Sequence, residues 1–250
     1  MKKITEKEKN NIIRSYMSNG WVKIPKFLDK KELSSVKKKI DSLLNSKKKK
    51  YIGRDINYTD SNEINSFHKM HDLKWVKKFS KKKQVKSFIK LFLNSDPELR
   101  ASELFAKPKM FGLPAPVHQD NFYWKVKNNN ALTVWVALCS SDSKNGGVFY
   151  YNGSHKKGVF KHVPSFAKGT SQKIKNLNAL EKFKKTTPVL KPGDALIHHV
   201  LIAHGSKRNK SNRPRQGWTL QYKDKKSSYD NLAIAKYEKS LKKQITLRNQ

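Results

Sequence analysis

The spacing of apolar residues changes near Pro97, and that change constrains the fold more than any other feature of the sequence. Before it, apolar side chains recur at helical intervals. Ile12, Ile13, Tyr16 and Met17 mark a helix over 6–19 that Gly20 ends. Trp21–Ile24 reads as a short strand. Asp29 followed by Glu32 forms a capping-box-like start to a second helix, carried by Leu33, Val36, Ile40, Leu43 and Leu44 to about residue 45. Lys47 to Lys50 is a charge run expected in a solvated loop. Residues 51–72 are polar and without a clear period, and helical spacing returns over 73–94.

After Pro97 the texture is that of short strands broken by glycine, proline and asparagine. The runs are 102–106, 117–120, 132–138, 148–151, 188–190, 195–199 and 217–222. Between them lie the turns Asn145-Gly146-Gly147, Asn152-Gly153 and Lys191-Pro192-Gly193-Asp194. Helices first and strands second predict an α+β, mainly β chain: an antiparallel sandwich or barrel with helices packed outside. The 250 residues are then organised as one domain. Residues 1–95 are mostly helical support, 98–224 form the β core with a lysine-rich insertion at 155–187, and 231–250 form a C-terminal helix. A long insertion inside a compact domain is expected to be functional.

The net charge of +36 invites a nucleic-acid reading. Only seven of the 55 basic residues are arginine, however, and the lysines are scattered along the whole chain. Nucleic-acid interfaces favour the planar fork of arginine, so nucleic acid is not the expected partner. Cys139 is the single cysteine, which excludes an intrachain disulfide and fits a cytoplasmic location. The charged start Met1–Lys7 does not read as a secretory signal, and no apolar run is long enough to span a membrane. The oligomeric state stays open.

Chemistry concentrates in three places. Val117-His118-Gln119-Asp120 reads as a strand, and residues two apart on a strand face the same side, so His118 and Asp120 are expected to point together into the sandwich. His204 closes the apolar segment Leu201-Ile202-Ala203, far enough along to come from another strand. Two imidazoles and one carboxylate on one face of a metal form the facial triad of non-haem Fe(II) oxygenases, which leaves open positions for a chelating 2-oxo acid and O2. Arg215, eleven residues after His204, opens the next strand. A buried guanidinium can pair at two points with a carboxylate, such as the distal one of 2-oxoglutarate.

The remaining candidates are weaker. His68 and His71 would share a helix face but have no third ligand nearby, so they read as surface or packing residues. Phe122, Tyr123 and Trp124 fill either the pocket or the core. His198 and His199 read as structural and His155 as a turn residue, while His162 carries no assignment.

Together, His118-Gln119-Asp120-Asn121, Trp135, Gly146-Gly147-Val148, Gly153-Ser154-His155, Lys191-Pro192-Gly193-Asp194, His204-Gly205-Ser206 and Arg215 resemble the phytanoyl-CoA dioxygenase family over roughly residues 18–224. The resemblance implies a double-stranded β-helix, a cupin-like jelly roll with helices outside. It implies iron ligands at His118, Asp120 and His204, and Arg215 on the 2-oxoglutarate carboxylate, with Ser206, Gln119 and Trp135 near the cosubstrate. It further implies hydroxylation of a small-molecule substrate with release of succinate and CO2. Related halogenases replace the carboxylate by a small residue; Asp120 is present here, which favours hydroxylation. Where the family often has proline before the Gly-Ser-His turn, this chain has Asn152. The basic composition would suit an anionic substrate. Three other readings stand beside this one: a non-catalytic jelly-roll binding protein, an oxygenase acting on a macromolecule, and a cupin-like enzyme that uses no 2-oxoglutarate.

Overall fold

A computed structural model describes residues 5–47 and 56–248. In chain order the elements are α1 (Glu6–Asn19), β1 (Trp21–Ile24), α2 (Lys30–Lys47), β2 (Ile56–Tyr58), β3 (Ile64–Phe67), α3 (Lys74–Ser80), α4 (Lys83–Leu93), β4 (Pro97–Lys107), β5 (Ala115–His118), α5 (Asn121–Trp124), β6 (Ala131–Ala137), β7 (Val148–Tyr151), β8 (His162–Ala167), β9 (Thr170–Ile174), β10 (Lys185–Thr186), β11 (Ala195–His199), β12 (His204–Ser206), β13 (Arg215–Asp224) and α6 (Asn231–Arg248).

The N-terminal helices start and stop where their caps dictate. Thr5 and Glu8 form a reciprocal capping box on α1, and Gly20 takes the left-handed conformation (φ 80°) that ends it. Asp29 Oδ1 accepts from the Glu32 backbone N–H at 2.8 Å, as the spacing predicts for the start of α2.

The strands form an antiparallel seven-stranded sheet, ordered β1-β11-β6-β13-β4-β3-β2, and a four-stranded sheet, ordered β10-β7-β12-β5. Period-two alternation gives the large sheet two different faces. Leu104 and Ala106, Leu132, Val134 and Val136, Ala195 and Ile197, and Trp218, Leu220 and Tyr222 point outward into the core shared with the helices. Trp218 anchors this layer, with its ring 5.3 Å from Trp75 and 5.1 Å from Phe79. Each buried valine, leucine or isoleucine of this layer contributes roughly 1.5–3 kcal/mol. The opposite face carries polar residues at alternate positions: Glu103 and Lys107, Thr133, His198, and Arg215, Thr219 and Gln221. A drier patch, including Trp135, Leu196, Val148, Tyr150 and Ile202, joins the two sheets. This is the mixed architecture, dominated by antiparallel sheets, that the sequence predicts.

Several local expectations change. Pro188–Leu190 is not a strand; Pro188 has no N–H to give a ladder, Leu190 makes a single bridge to Ser141, and the edge strand is β10 instead. The insertion at 155–187 contains the hairpin β8–β9. The unassigned stretch 51–72 holds β2 and β3. His68 and His71 do not share a helix face, because His68 lies just beyond β3 and only His71 belongs to the short 3-10 turn at Met70–Asp72. Of the charge run at Lys47–Lys50, residues 48–50 lie outside the described residues. No helix among the described residues is long and apolar enough to cross a membrane.

Candidate active site

The small sheet brings the two histidines together. His204, on the inner strand β12, pairs in register with His118 of β5 on one side and with Tyr150 of β7 on the other. The His118 and His204 rings lie 4.3 Å apart, centroid to centroid.

Asp120 joins them by a route the sequence reading did not foresee. β5 ends at His118, and Asp120 adopts helical backbone angles (φ −59°, ψ −40°) at the start of α5. Its carbonyl accepts from the Tyr123 and Trp124 amides, so a turn, and not strand alternation, swings the carboxylate beside the imidazoles. Potential ligand atoms of His118, Asp120 and His204 lie within 4.8 Å of one another.

Hydrogen bonds fix the orientation of all three groups. His118 donates from Nδ1 to Pro116 O at 2.8 Å, and His204 from Nδ1 to Ile202 O at 3.0 Å. Both rings then point Nε2 at Asp120 Oδ1, at 3.6 Å and 3.7 Å respectively. Burial pushes the His204 imidazole down to about 3, which keeps it neutral. The other carboxylate oxygen is held from behind: Thr133 Oγ1 donates to Asp120 Oδ2 at 2.7 Å, and His198 Nε2 donates to it at 3.2 Å. The Tyr150 hydroxyl donates to His198 Nδ1 at 2.9 Å, which sets that tautomer. Burial opposes ionisation of Asp120, but the hydrogen bond from His198 Nε2 favours the carboxylate form, and the group lies well below the usual range. Two ring nitrogens and a carboxylate oxygen thus converge on one point, with both Nδ1–H groups committed to backbone carbonyls. The donor set therefore fits a divalent metal of the Fe(II) type, with its outer hydrogen bonds already made.

A second polar cluster lies at the Arg215 end of the cavity. The Arg215 guanidinium is 2% exposed. Its Nε donates to Gly146 O at 3.0 Å, and its carbon lies 5.3 Å from the Trp135 ring centre. Its Nη1 is buried with no hydrogen-bond partner, and burial pushes the group down to about 10. Beside it, Lys107 Nζ donates to Ser206 Oγ at 2.7 Å and to Lys207 O at 2.6 Å. Burial, with the Arg215 and Arg208 charges, holds the Lys107 ammonium well below its ordinary range. An orphaned guanidinium donor beside a buried ammonium has the chemistry to receive a carboxylate. A Cβ at Gly217 would lie 1.9 Å from the Trp135 ring, so glycine there is what lets the indole lie flat against β13.

Ser206, Trp135 and Arg215 line one cavity of about 410 Å³ together with His118, Asp120 and His204. Gln119 does not line it. Its amide donates to Gly158 O and Leu201 O and accepts from the Phe160 amide, which ties the insertion to the metal-side loop. Helical geometry also separates the aromatic run: Tyr123 and Trp124 line the cavity, whereas Phe122 stacks on His162 with centroids 4.2 Å apart. Asn152, where the family often has proline, accepts from Trp21 Nε1 at 2.9 Å and so anchors the turn by another means. The sequence reading missed Lys107 and Thr133, which it did not single out, and the contact of His198 with Asp120. Strand alternation was the available signal, since all three sit at inward positions of predicted strands or their extensions.

The chain belongs to the phytanoyl-CoA dioxygenase (PhyH) family, whose sequence model matches residues 16–217. It is 35% identical over 104 residues to the 1-deoxypentalenic acid 11-beta-hydroxylase of Streptomyces exfoliatus, a match covering 40% of this chain and 36% of the hydroxylase. This chain thus spans only about a third of that relative's length. A probable alpha-ketoglutarate-dependent hypophosphite dioxygenase of Stutzerimonas stutzeri is 25% identical over 230 residues, covering 84% of this chain and 76% of the relative. Among solved structures, EctD from S. alaskensis, with 2-oxoglutarate and 5-hydroxyectoine, superposes with a TM-score of 0.74 at 20% identity, covering 91% of this chain and 78% of EctD.

Proposed function

We propose that this protein is an Fe(II)- and 2-oxoglutarate-dependent dioxygenase that hydroxylates a small molecule, with His118, Asp120 and His204 as iron ligands. The observation that carries the reading is the convergence of both Nε2 atoms on one oxygen of Asp120, with both Nδ1 atoms committed to backbone carbonyls. When bound, iron and 2-oxoglutarate supply the oxidation: O2 is consumed, the 2-oxo acid is decarboxylated to succinate and CO2, and one oxygen atom enters a C–H bond.

The protein's part is binding and orientation. Arg215, with an unpartnered Nη1, and Lys107 receive the distal carboxylate of 2-oxoglutarate, while Ser206 and Trp135 shape that end of the cavity. Thr133 and His198 hold Asp120 Oδ2, so that Oδ1 faces the metal. Asp120 keeps a carboxylate in the position that a halide would need to occupy, which favours hydroxylation. Gln119 acts at one remove, by fixing the loop between His118 and the insertion. The names of two relatives denote acids, hypophosphite and 1-deoxypentalenic acid, which supports an anionic substrate here. A cytoplasmic location belongs to the same reading and is supported by the lone, free Cys139.

The test is iron-dependent release of succinate from 2-oxoglutarate. Protein loaded anaerobically with Fe(II) and then exposed to O2 is expected to release succinate, faster with a substrate from a panel of small carboxylates, amino acids and phosphonates. Asp120→Ala is expected to abolish it. Succinate release that needs no iron, or that survives Asp120→Ala at the wild-type rate, overturns the assignment.

A further inference from the structure

Away from Arg215, the cavity contains a second guanidinium that the proposed chemistry does not use. Along β4, alternation turns Glu103, Phe105 and Lys107 into the cavity, and on that pattern Arg100 belongs on the helix-packed face. The register breaks there: Ala101 pairs with Gln221 and Leu99 with Tyr222, which leaves Arg100 without a partner on β13. This is a β-bulge, a device that re-aims a side chain. Arg100 consequently lines the cavity beside Glu103.

Its hydrogen bonding is incomplete. The guanidinium lies over the Trp124 ring, 4.8 Å from its centre, and Nη1 donates to Gln221 Oε1 at 2.8 Å. Beyond that bond, its other N–H donors have no acceptor among the described residues. Glu103 makes no direct ion pair with it. One Glu103 oxygen accepts from His68 Nδ1 at 2.7 Å and the other from Gln221 Nε2 at 3.0 Å. Asn57 Nδ2 lies 2.9 Å from Nε2 on the other side of the His68 ring. Gln221 therefore separates Arg100 from Glu103, and among the described residues no carboxylate is ion-paired with Arg100.

We propose that Arg100 anchors the substrate, which is a small carboxylic acid whose carboxylate pairs with this guanidinium while its carbon skeleton reaches back to the metal position. The inference rests on the oxygenase reading and narrows its substrate class. Size supports it: about 410 Å³ must hold the substrate and 2-oxoglutarate together, near the low end of the roughly 300–1,000 Å³ typical of ligand sites. The lining includes the apolar or aromatic side chains of Tyr123, Trp124, Leu113 and Phe105. A single negative charge fits better than two, because Glu103 and Asp120 lie within electrostatic reach of Arg100 and oppose a second.

The experiment is calorimetric titration of protein loaded with Ni(II) and 2-oxoglutarate, where no turnover occurs. The probes are C3–C8 monocarboxylic, 2-hydroxy and 2-amino acids, each beside its primary amide and its phosphonate analogue. At least one acid is expected to bind tenfold or more tightly than its amide. Arg100→Gln should bring that ratio within twofold of unity, and Arg100→Lys should leave it intermediate, since lysine keeps the charge without the fork. The lysine variant and melting curves cover the case in which Arg100→Gln fails to fold. Acid-to-amide ratios near one for every wild-type pair, a ratio unchanged by Arg100→Lys or Arg100→Gln, or tighter binding of the phosphonates overturns the proposal. Discrimination by a protein that yields no succinate with Fe(II) would remove the oxygenase reading and leave the Arg100 site standing. Succinate release without discrimination would do the reverse.

Discussion

The Thr133 hydroxyl donates to Asp120 Oδ2 at 2.7 Å, from the strand facing the carboxylate across the sandwich. With His198 on the same oxygen, it fixes which of the two oxygens faces His118 and His204. Removing only the hydroxyl tests this. Thr133→Val is expected to weaken Mn(II) binding in calorimetric titration by about tenfold, the lower end of what loss of such outer hydrogen bonds costs. Thr133→Ser should bind nearly as wild type. Equal affinity in Thr133→Val would mean that Asp120 needs no such support.

Arg215 and Lys107 share one end of the cavity but differ in kind. Arg215 has a fixed fork with one buried donor unpartnered, whereas Lys107 is already bonded to Ser206 and to Lys207 O. Arg215→Lys is expected to raise the dissociation constant of 2-oxoglutarate for the Ni(II)-loaded protein by about 30-fold or more, the equivalent of roughly 2 kcal/mol. Lys107→Met should cost less, about tenfold, because a point charge gives up one contact where the fork gives up two. Comparable affinities in all three proteins would separate this end of the cavity from the cosubstrate.

Strand alternation made much of this site readable from the sequence, and it failed where the backbone leaves the regular strand. His204 follows from the apolar run it closes and Arg215 from the strand it opens, and each is the first residue of its strand. The pairing of His118 with Asp120 was anticipated for the wrong reason, since Asp120 sits in a helical turn and reaches the site through φ and ψ values that a two-residue period does not contain. Arg100 was invisible because a bulge reverses its face, and a bulge leaves little trace in a single sequence. Gln119 has a motif position beside the ligands but uses its amide to hold Gly158 and Leu201. The hairpin at 162–174 was hidden by lysines, Lys168 in its turn and Lys173 at an exposed strand position.

Gly217 and Trp135 occupy the same space to the extent that a single methyl group would displace the indole. The added Cβ of Gly217→Ala would meet three ring atoms at 1.9 Å, 2.1 Å and 2.6 Å. Trp135 is wedged between the sheets and cannot yield without disturbing Tyr150 and Leu196. The variant is expected to lose about 1–3 kcal/mol, seen as a melting temperature lower by about 2–10 °C. Because the ring also lies against Arg215, 2-oxoglutarate affinity should fall as well. A variant with wild-type melting and affinity would show that Trp135 has another place to go.

Stability should depend on pH through two histidines buried in their neutral form. Burial lowers His162 to about 4 and His199 to about 4, whereas both titrate near 6.5 in an unfolded chain. Between those values the unfolded state binds protons that the folded state refuses, so unfolding takes up protons and stability rises with pH. The stability present above about pH 6.5 is therefore lost progressively as pH falls toward 4, at up to about 1.4 kcal/mol per pH unit for each histidine. Urea midpoints measured from pH 7 to pH 5 are expected to fall steadily, and His199→Gln should make the slope shallower. A midpoint independent of pH over that interval would mean that these rings accept protons without unfolding.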